Sequence, residues 1–332
     1  MRRFKCLSMG LLLIMALTAC SGQGSSKETT EKQETEAVKT TAESATETSG
    51  QEASDKETTA ESGTVEKVLI GYSPMTMVNP YFSAVGSAIE EVVDEHGAEL
   101  VQFDPQMDAS VQAAQIDDMI SMGIKALLFI PVDSAGSRNI MQACKDAGVY
   151  VVNIDNVVNE NDYDVVDAIV ASDNYGLGYV SGQDVAERFP DGAKIGIMHS
   201  PTSESCIVTV NAFWDAIKEH AKNPEAYVNV AEADGKGNME QSFTQATDIL
   251  QAHDDIDLFY CVNDQSAFGV IQAIKEAGKA GEIAVYGKDG SPDAKAVLGK
   301  DGFVQSSGQS PLGIGRIGAE NCFKLIKGEK VE

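Results

Sequence analysis

The chain has 332 residues and carries 51 acidic against 25 basic side chains, a net charge of −26. So large an acidic excess excludes nucleic acid as a partner, because phosphates are held by Lys and Arg. It leaves open which small ligand is bound, and the length suits two lobes better than one core.

The first residues read as an export signal. Met1, Arg2, Arg3, Phe4 and Lys5 form a short basic start, and the apolar stretch 7–17 falls short of the roughly 20 residues a membrane-spanning helix needs. The stretch ends in Leu17-Thr18-Ala19-Cys20, which resembles the lipobox of bacterial lipoproteins. That resemblance implies that Cys20 is lipidated and becomes the new N-terminus of an extracytoplasmic protein anchored to the bacterial cell membrane, at the cell surface or in the periplasm. The alternative is an ordinary secretory signal cut near Ala19, with Cys20 left as a thiol. Residues 1–20 are thus assigned to the signal. Residues 21–64 are almost all Ser, Thr, Glu, Lys, Ala, Gln and Gly, too polar to repay the entropy of ordering, and are predicted to be a disordered acidic tether. A flexible chain of that length spans roughly 35–40 Å. A role in solubility alone predicts the same composition.

From Val65 onward, apolar β-branched runs alternate with helix-period segments. Strands are predicted at 68–72, 99–103, 126–130, 149–154 and 169–173, with helices over 82–95, 109–122, 135–147 and 175–188. The rhythm continues with strands at 194–198, 226–230, 257–262, 283–286 and 303–306. Such alternation indicates α/β architecture with parallel strands covered on both faces, here two doubly wound sheets joined by a hinge. The N-terminal lobe is assigned to 65–170 plus 310–332 and the C-terminal lobe to 171–309.

Ligands of open α/β sheets bind beyond the carboxyl ends of the strands. The loop after the first strand holds Met75, Met77, Asn79, Pro80, Tyr81 and Phe82: an amide, and two flat apolar faces suited to a small polar ring. Taken alone, Asn79-Pro80 also satisfies a helix N-cap followed by Pro at the first helical position. Other strand ends carry Asp155-Asn156, Asn263-Asp264 and Asp289-Gly290, and Gln309 precedes the last helix. One such group is ordinary turn chemistry. Their recurrence at one topological level suggests carboxylates and amides gripping adjacent hydroxyls, with an aromatic face over the ring. Met75 and Met77 either line this cleft or fill the underside of the loop.

In this order the motifs resemble the ribose-type sugar-binding proteins of bacterial ABC importers, the type I periplasmic binding protein family. Asn79-Pro80-Tyr81-Phe82 is similar to that family's Asn-Pro-Phe-Phe loop, and Ile154-Asp155 to the strand end whose Asp binds sugar hydroxyls. Val170-Ala171-Ser172-Asp173-Asn174 resembles the first crossing between lobes, Asn263-Asp264 the Asn-Asp element, and Gly287-Lys288-Asp289-Gly290 the Gly-Phe-Asp-Gly element. Gln309 falls where the family has a hinge-proximal glutamine. The resemblance implies a monomeric solute-binding lipoprotein without cofactor or metal. It captures a small sugar or polyol by hinge closure and delivers it to a membrane permease. A sensor presenting its closed form to a membrane receptor would use the same cleft. Crossings between lobes are expected near Val170-Ala171, near Val262-Asn263 or shortly after, and near Gln309. The family usually continues into a final extended segment beyond the position of Glu332.

The chain departs from the ribose-like pattern where that pattern has arginines. The residue after Asp155 is Asn156, and 203–209 contains no Arg, Thr209 being the nearest match; a polar position after the third strand is Ile130. An Arg supplies five donors in a fixed fork that neither Asn nor Thr reproduces. With no cation in these motifs, the expected ligand is a neutral polyol, a sugar other than ribose, or a cationic amino sugar, and not an anion. The candidate binding set is therefore Met75, Asn79, Tyr81, Phe82, Asp155, Asn156, Thr209, Asn263, Asp289 and Gln309.

Catalysis has little support. No Gly-x-Gly-x-x-Gly, Walker A or Gly-x-Ser-x-Gly element occurs, and His96, His199, His220 and His253 are scattered without ligand spacing, so no enzyme is expected. An exported α/β hydrolase is the competing class. Trp214, beside Phe213 and Ile217, is read as core. The acidic run 159–164 lacks the glycine and spaced glutamate of a calcium loop and is read as solvated. Cys144, Cys206, Cys261 and Cys322 stand singly, without CxxC spacing, and are read as buried thiols, with one or two disulfides as the alternative.

Overall fold

The computed structural model describes residues 67–331. The signal, Cys20 and the tether 21–64 lie outside the described residues. No described helix is long and apolar enough to cross a membrane.

The first half runs β1 (Leu69–Ser73), α1 (Pro80–Glu95), β2 (Glu99–Gln102), α2 (Ala109–Met122), β3 (Ala126–Phe129), α3 (Arg138–Asp146), β4 (Tyr150–Ile154) and β5 (Ala168–Val170). The second runs α4 (Asn174–Arg188), β6 (Ala193–His199), α5 (Glu204–His220), β7 (Tyr227–Asp234), α6 (Met239–Ala252), β8 (Leu258–Cys261), α7 (Asp264–Glu276), β9 (Ala284–Asp289), α8 (Pro292–Val297) and β10 (Phe303–Gly308). A last helix, α9 (Pro311–Ile326), returns to the first half and packs on α1 and β4.

The two sheets have strand orders β2-β1-β3-β4-β5 and β10-β9-β8-β6-β7, all parallel. Numbered within its own lobe, the second order is the first read backwards, so both lobes share one winding. β4 and β9 are then equivalent strands, as are β5 and β10. The strand order reverses between β1 and β3 in one lobe and between β6 and β8 in the other, which places a ligand crevice at those carboxyl ends.

Helices on both faces explain why β3 is apolar throughout. Leu128 faces a core shared with Val85, Ile89, Ile314 and Phe323, whereas Leu127 and Phe129 face a second core with Ile116, Met119 and Met141. β8 divides in the same way, Phe259 and Cys261 to one side and Leu258 and Tyr260 to the other. Such alternation is the two-residue period of a strand. Phe213 stacks on Tyr260 at 4.2 Å, and Trp214 packs against the same core.

The crossing expected near Val262-Asn263 is not one. β8 is the central strand of the second sheet and the helix that follows stays on that lobe. The described chain passes between lobes after β5 and after β10. The acidic run is partly countered from α3, where Arg138 bridges Asp162 at 3.0 Å and Asp164 at 2.7 Å. The four described cysteines are free thiols.

α4 and α5 touch along glycines. A Cβ on Gly178 would fall on the Thr209 carbonyl oxygen, and one on Gly182 on that of Phe213. Both obstacles are helix backbone, which cannot rotate away as a side chain can. Gly182→Ala is therefore expected to cost about 1–3 kcal/mol of folding stability, despite its better helix propensity. Urea unfolding would measure this, and an unchanged or raised midpoint would contradict it.

Candidate functional site

A cleft of about 810 Å3 lies between the lobes where the strand ends face one another. Its first wall is the loop between β1 and α1. Asn79 caps α1, its Oδ1 accepting from the Tyr81 amide at 3.0 Å, with Pro80 in the first turn. The cap uses Oδ1, and Asn79 also lines the cleft, so one residue serves both roles. Met75 and Phe82 line the cleft while their bodies belong to the core beneath it. Met77 is not among the lining residues; its backbone N–H donates to Asp104.

Asp155 follows β4 and Asp289 ends β9, so equivalent strands of the two lobes each present a carboxylate to the cleft. Both adopt positive φ, 61° and 130°, a conformation that non-glycine residues seldom adopt and that is frequent at functional sites. A hydrogen-bonded chain joins them. The Tyr81 hydroxyl donates to Asp155 at 2.7 Å and reaches Gln309 Oε1 at 3.5 Å, and Gln309 Nε2 donates to Asp289 at 2.9 Å. Gln309 sits just after β10 at the second crossing and ties both lobes into one network.

Burial governs the electrostatics. Asp155 keeps some solvent access through the cleft but is enclosed elsewhere, and loss of hydration raises its carboxyl above the ordinary range against the opposing effects of Tyr81 and Lys288. Asp289 is pushed up to about 8, first by burial and then by the neighbouring Asp264, with Lys288 and Gln309 opposing. Asp264 is likewise raised by burial, although Ser306 and the Ser291 amide donate to it. Tyr81 is raised by burial and by Asp155 and stays a neutral donor.

Three candidates occupy other roles than a free ligand contact. Thr209 lies outside the cleft: it is 0% exposed, faces α4 and donates to the Ser205 carbonyl at 2.7 Å. One helical turn beyond Ser205 and on the same side of α5, it is displaced along the axis to where α4 covers it. Asn156 touches the cleft wall, but its amide is committed. Nδ2 donates to the Pro131 carbonyl, and Oδ1 accepts from the Ser203 hydroxyl at 2.8 Å and the Ser205 amide at 3.2 Å. It thereby bonds the first lobe to the second. Asn263 also lines the cleft with both amide atoms engaged, capping α7 through Ser266 and holding the Gly237 carbonyl.

Sequence reasoning missed the serine-rich loop 200–205, which joins Asn156 in spanning the lobes. Ser205 Oγ donates to the Asp155 carbonyl, and the Glu204 amide donates to Ser134. It also missed Asn174 at the start of α4, and two cations, Lys236 and Lys288. The motif regions therefore do contain a cation, contrary to expectation: Lys288 is only 4% exposed and its Nζ approaches Asn174 Oδ1 at 3.4 Å. The available signal was a lysine closing the otherwise uncharged strand run 284–287, where an ion is seldom buried without purpose.

Comparison with known proteins agrees with this geometry. A family model described as a periplasmic binding protein domain matches residues 70–330. The chain is 28% identical over 271 residues to the ribose import binding protein RbsB of Bacillus subtilis, covering 82% of this chain and 86% of that protein. It is 28% identical over 281 residues to the D-ribose/D-allose-binding protein of Pseudomonas aeruginosa, covering 81% and 85%. An ABC transporter solute binding protein of Mycobacterium smegmatis, solved with bound glycerol, matches at a TM-score of 0.73 and 27% identity, over 80% of this chain and 90% of that one. The two parallel-sheet lobes are those of the type I periplasmic binding fold. With the family model extending across both lobes, the chain belongs to the periplasmic binding protein family.

Proposed function

We propose that the protein is the solute-binding component of an ABC importer, capturing a small sugar or polyol between its lobes and delivering it to a membrane permease. The observation that carries this reading is the pair of carboxylates, Asp155 and Asp289, presented by equivalent strands to one cleft and linked through Tyr81 and Gln309. Carboxylates accept from adjacent hydroxyls, while Tyr81 and Phe82 offer an apolar face to a ring. Relatives named for ribose and allose, and a similar structure holding glycerol, support the same ligand class. The proposed ligand contacts are Met75, Asn79, Tyr81, Phe82, Asp155, Asp289 and Gln309, with Asn263 shaping the wall. The proposed cell biology is a lipid anchor at Cys20 and a flexible tether over 21–64, holding a monomer outside the cytoplasm. Family membership supports the extracytoplasmic location.

Uptake works through hinge closure. Ligand held by one lobe recruits the other, and the closed population grows with the ligand's differential affinity for that state. A thermal-shift panel of pentoses, hexoses, polyols and amino sugars is expected to give at least one ligand that raises the melting temperature. Small-angle scattering at saturation with that ligand should show compaction; identical profiles would count against closure. Asp155→Ala is expected to weaken the same ligand about 10- to 100-fold in calorimetry, as for loss of a charge-assisted hydrogen bond.

The raised carboxyls set a direction for stability against pH. An unfolded Asp titrates near 3.9, whereas Asp289 in the fold titrates at about 8. Between those values the folded state holds the extra proton, so stability falls as pH rises through the interval. Asp155 and Asp264 act in the same direction. The melting temperature of the ligand-free protein should decline from about pH 5 to about pH 8.5, and Asp289→Asn should flatten that decline. An equal slope in the variant would show that Asp289 is not the group responsible.

A further inference from the structure

We propose that Lys288 is a ligand-binding donor that selects an uncharged polyhydroxylated ligand over both cationic and anionic relatives. The inference rests on the sugar- or polyol-binding reading of the cleft and narrows it.

Lys288 is the penultimate residue of the inner strand β9, beside Asp289; it lines the cleft and is almost wholly buried. An ammonium has three N–H donors. Only one of them has a partner among the described residues, the Asn174 amide oxygen at a long 3.4 Å, and Lys288 forms no salt bridge there. Nothing else on the protein side satisfies the other two. Burying charged donors without partners is costly, whereas a ligand oxygen in the cleft would complete them. The site thus has an unmet demand for acceptors at Lys288, beside two carboxyl groups, Asp155 and Asp289, that can exchange hydrogen bonds with ligand hydroxyls. A sugar or polyol suits both, since each hydroxyl both donates and accepts and a ring oxygen accepts.

The same constellation argues against charged ligands. A ligand ammonium would share the cleft with the buried Lys288 ammonium, which argues against the amino-sugar option left open by the sequence. A ligand carboxylate would join Asp155, Asp289 and Asp264, with Lys288 as the one buried cation among the lining residues. Lys236, the other lining cation, is exposed. An uncharged ligand leaves the balance of the cleft unchanged.

Calorimetry with five probes tests this: D-ribose, D-allose and myo-inositol as neutral compounds, D-glucosamine as the cation and D-gluconate as the anion. The wild-type protein is expected to bind at least one neutral probe and to bind both charged probes at least about tenfold more weakly. Lys288→Met should lose about 10- to 100-fold of the neutral affinity. Its melting temperature without ligand should equal or exceed that of wild type, because an apolar chain of similar length replaces a poorly partnered buried charge. A purely structural lysine would give the opposite pattern, lowering the melting temperature and sparing affinity. If the Met variant does not fold, Lys288→Gln carries the test, and an affinity equal to wild type overturns the inference. Undiminished binding by Lys288→Met, or preference of the wild type for glucosamine or gluconate, also overturns it while leaving the sugar-binding reading intact. A wild-type protein that binds none of the five removes the sugar-binding reading and this inference with it.

Discussion

Two carboxyl groups and an ammonium taken out of water where two sheets meet are the constraint around which this molecule is arranged. Holding such a group charged inside the protein costs several kcal/mol unless it is paired or hydrogen-bonded, and Asp289 accordingly keeps its proton up to about pH 8. The surrounding structure supplies much of that compensation from the protein side. Tyr81 donates to Asp155, Gln309 donates to Asp289, and Asp264 takes donors from Ser306 and Ser291. These donors stand on different elements and in both lobes, so the charged centre exists only when the lobes are correctly placed. Lys288 is the incompletely served member of the set. That incompletely satisfied donor lies where a solute would be received.

Duplicated winding gives the arrangement its economy. Because β4 and β9 occupy the same place in their sheets, each lobe delivers its carboxylate from the same topological position, and facing the lobes brings the two together. Helix starts reinforce the floor of the cleft: Asn79, Ser203, Asn238 and Asn263 cap helices that begin there. Capping uses one side-chain oxygen and leaves different remainders. Asn79 makes no bond from its amide nitrogen among the described residues, whereas Asn263 commits its own to the Gly237 carbonyl.

These differences explain what could be read from residues alone. The sheet pattern was legible because β3, β4 and β8 are apolar runs of strand length with helix-period segments between them. Asp155 was legible because a polar residue directly after such a run has few places to go other than a strand-end cleft, and Asp289 and Gln309 because they lie at strand exits that resemble family motifs. Thr209 misled because alignment to a motif fixes position along the chain but not which neighbouring element covers it; Asn156 does line the cleft, with its amide engaged in bonds to Pro131, Ser203 and Ser205. One turn of α5 separates Ser205, which touches the cleft, from Thr209, which faces α4. The supposed crossing near Asn263 failed for a related reason: an Asn-Asp pair after a strand marks a helix start equally well inside a lobe and between lobes. Lys288 was overlooked because the motif directed attention to its neighbour.

The path of α9 bears on how the chain is made. Ile314, Ala319, Cys322 and Phe323 complete a core whose other buried members lie between Ile70 and Ala168. A ribosome thus releases every strand of the first lobe more than 140 residues before the helix that seals its face, the distance from Val170 to Pro311. The second lobe has no such debt, since its described helices and strands all lie within 174–308. Contacts this distant in sequence form slowly, and an unsealed apolar sheet is prone to association. Order of synthesis and order of folding are then reversed: the lobe that emerges second can finish first, and the lobe that emerges first must wait for the end of the chain.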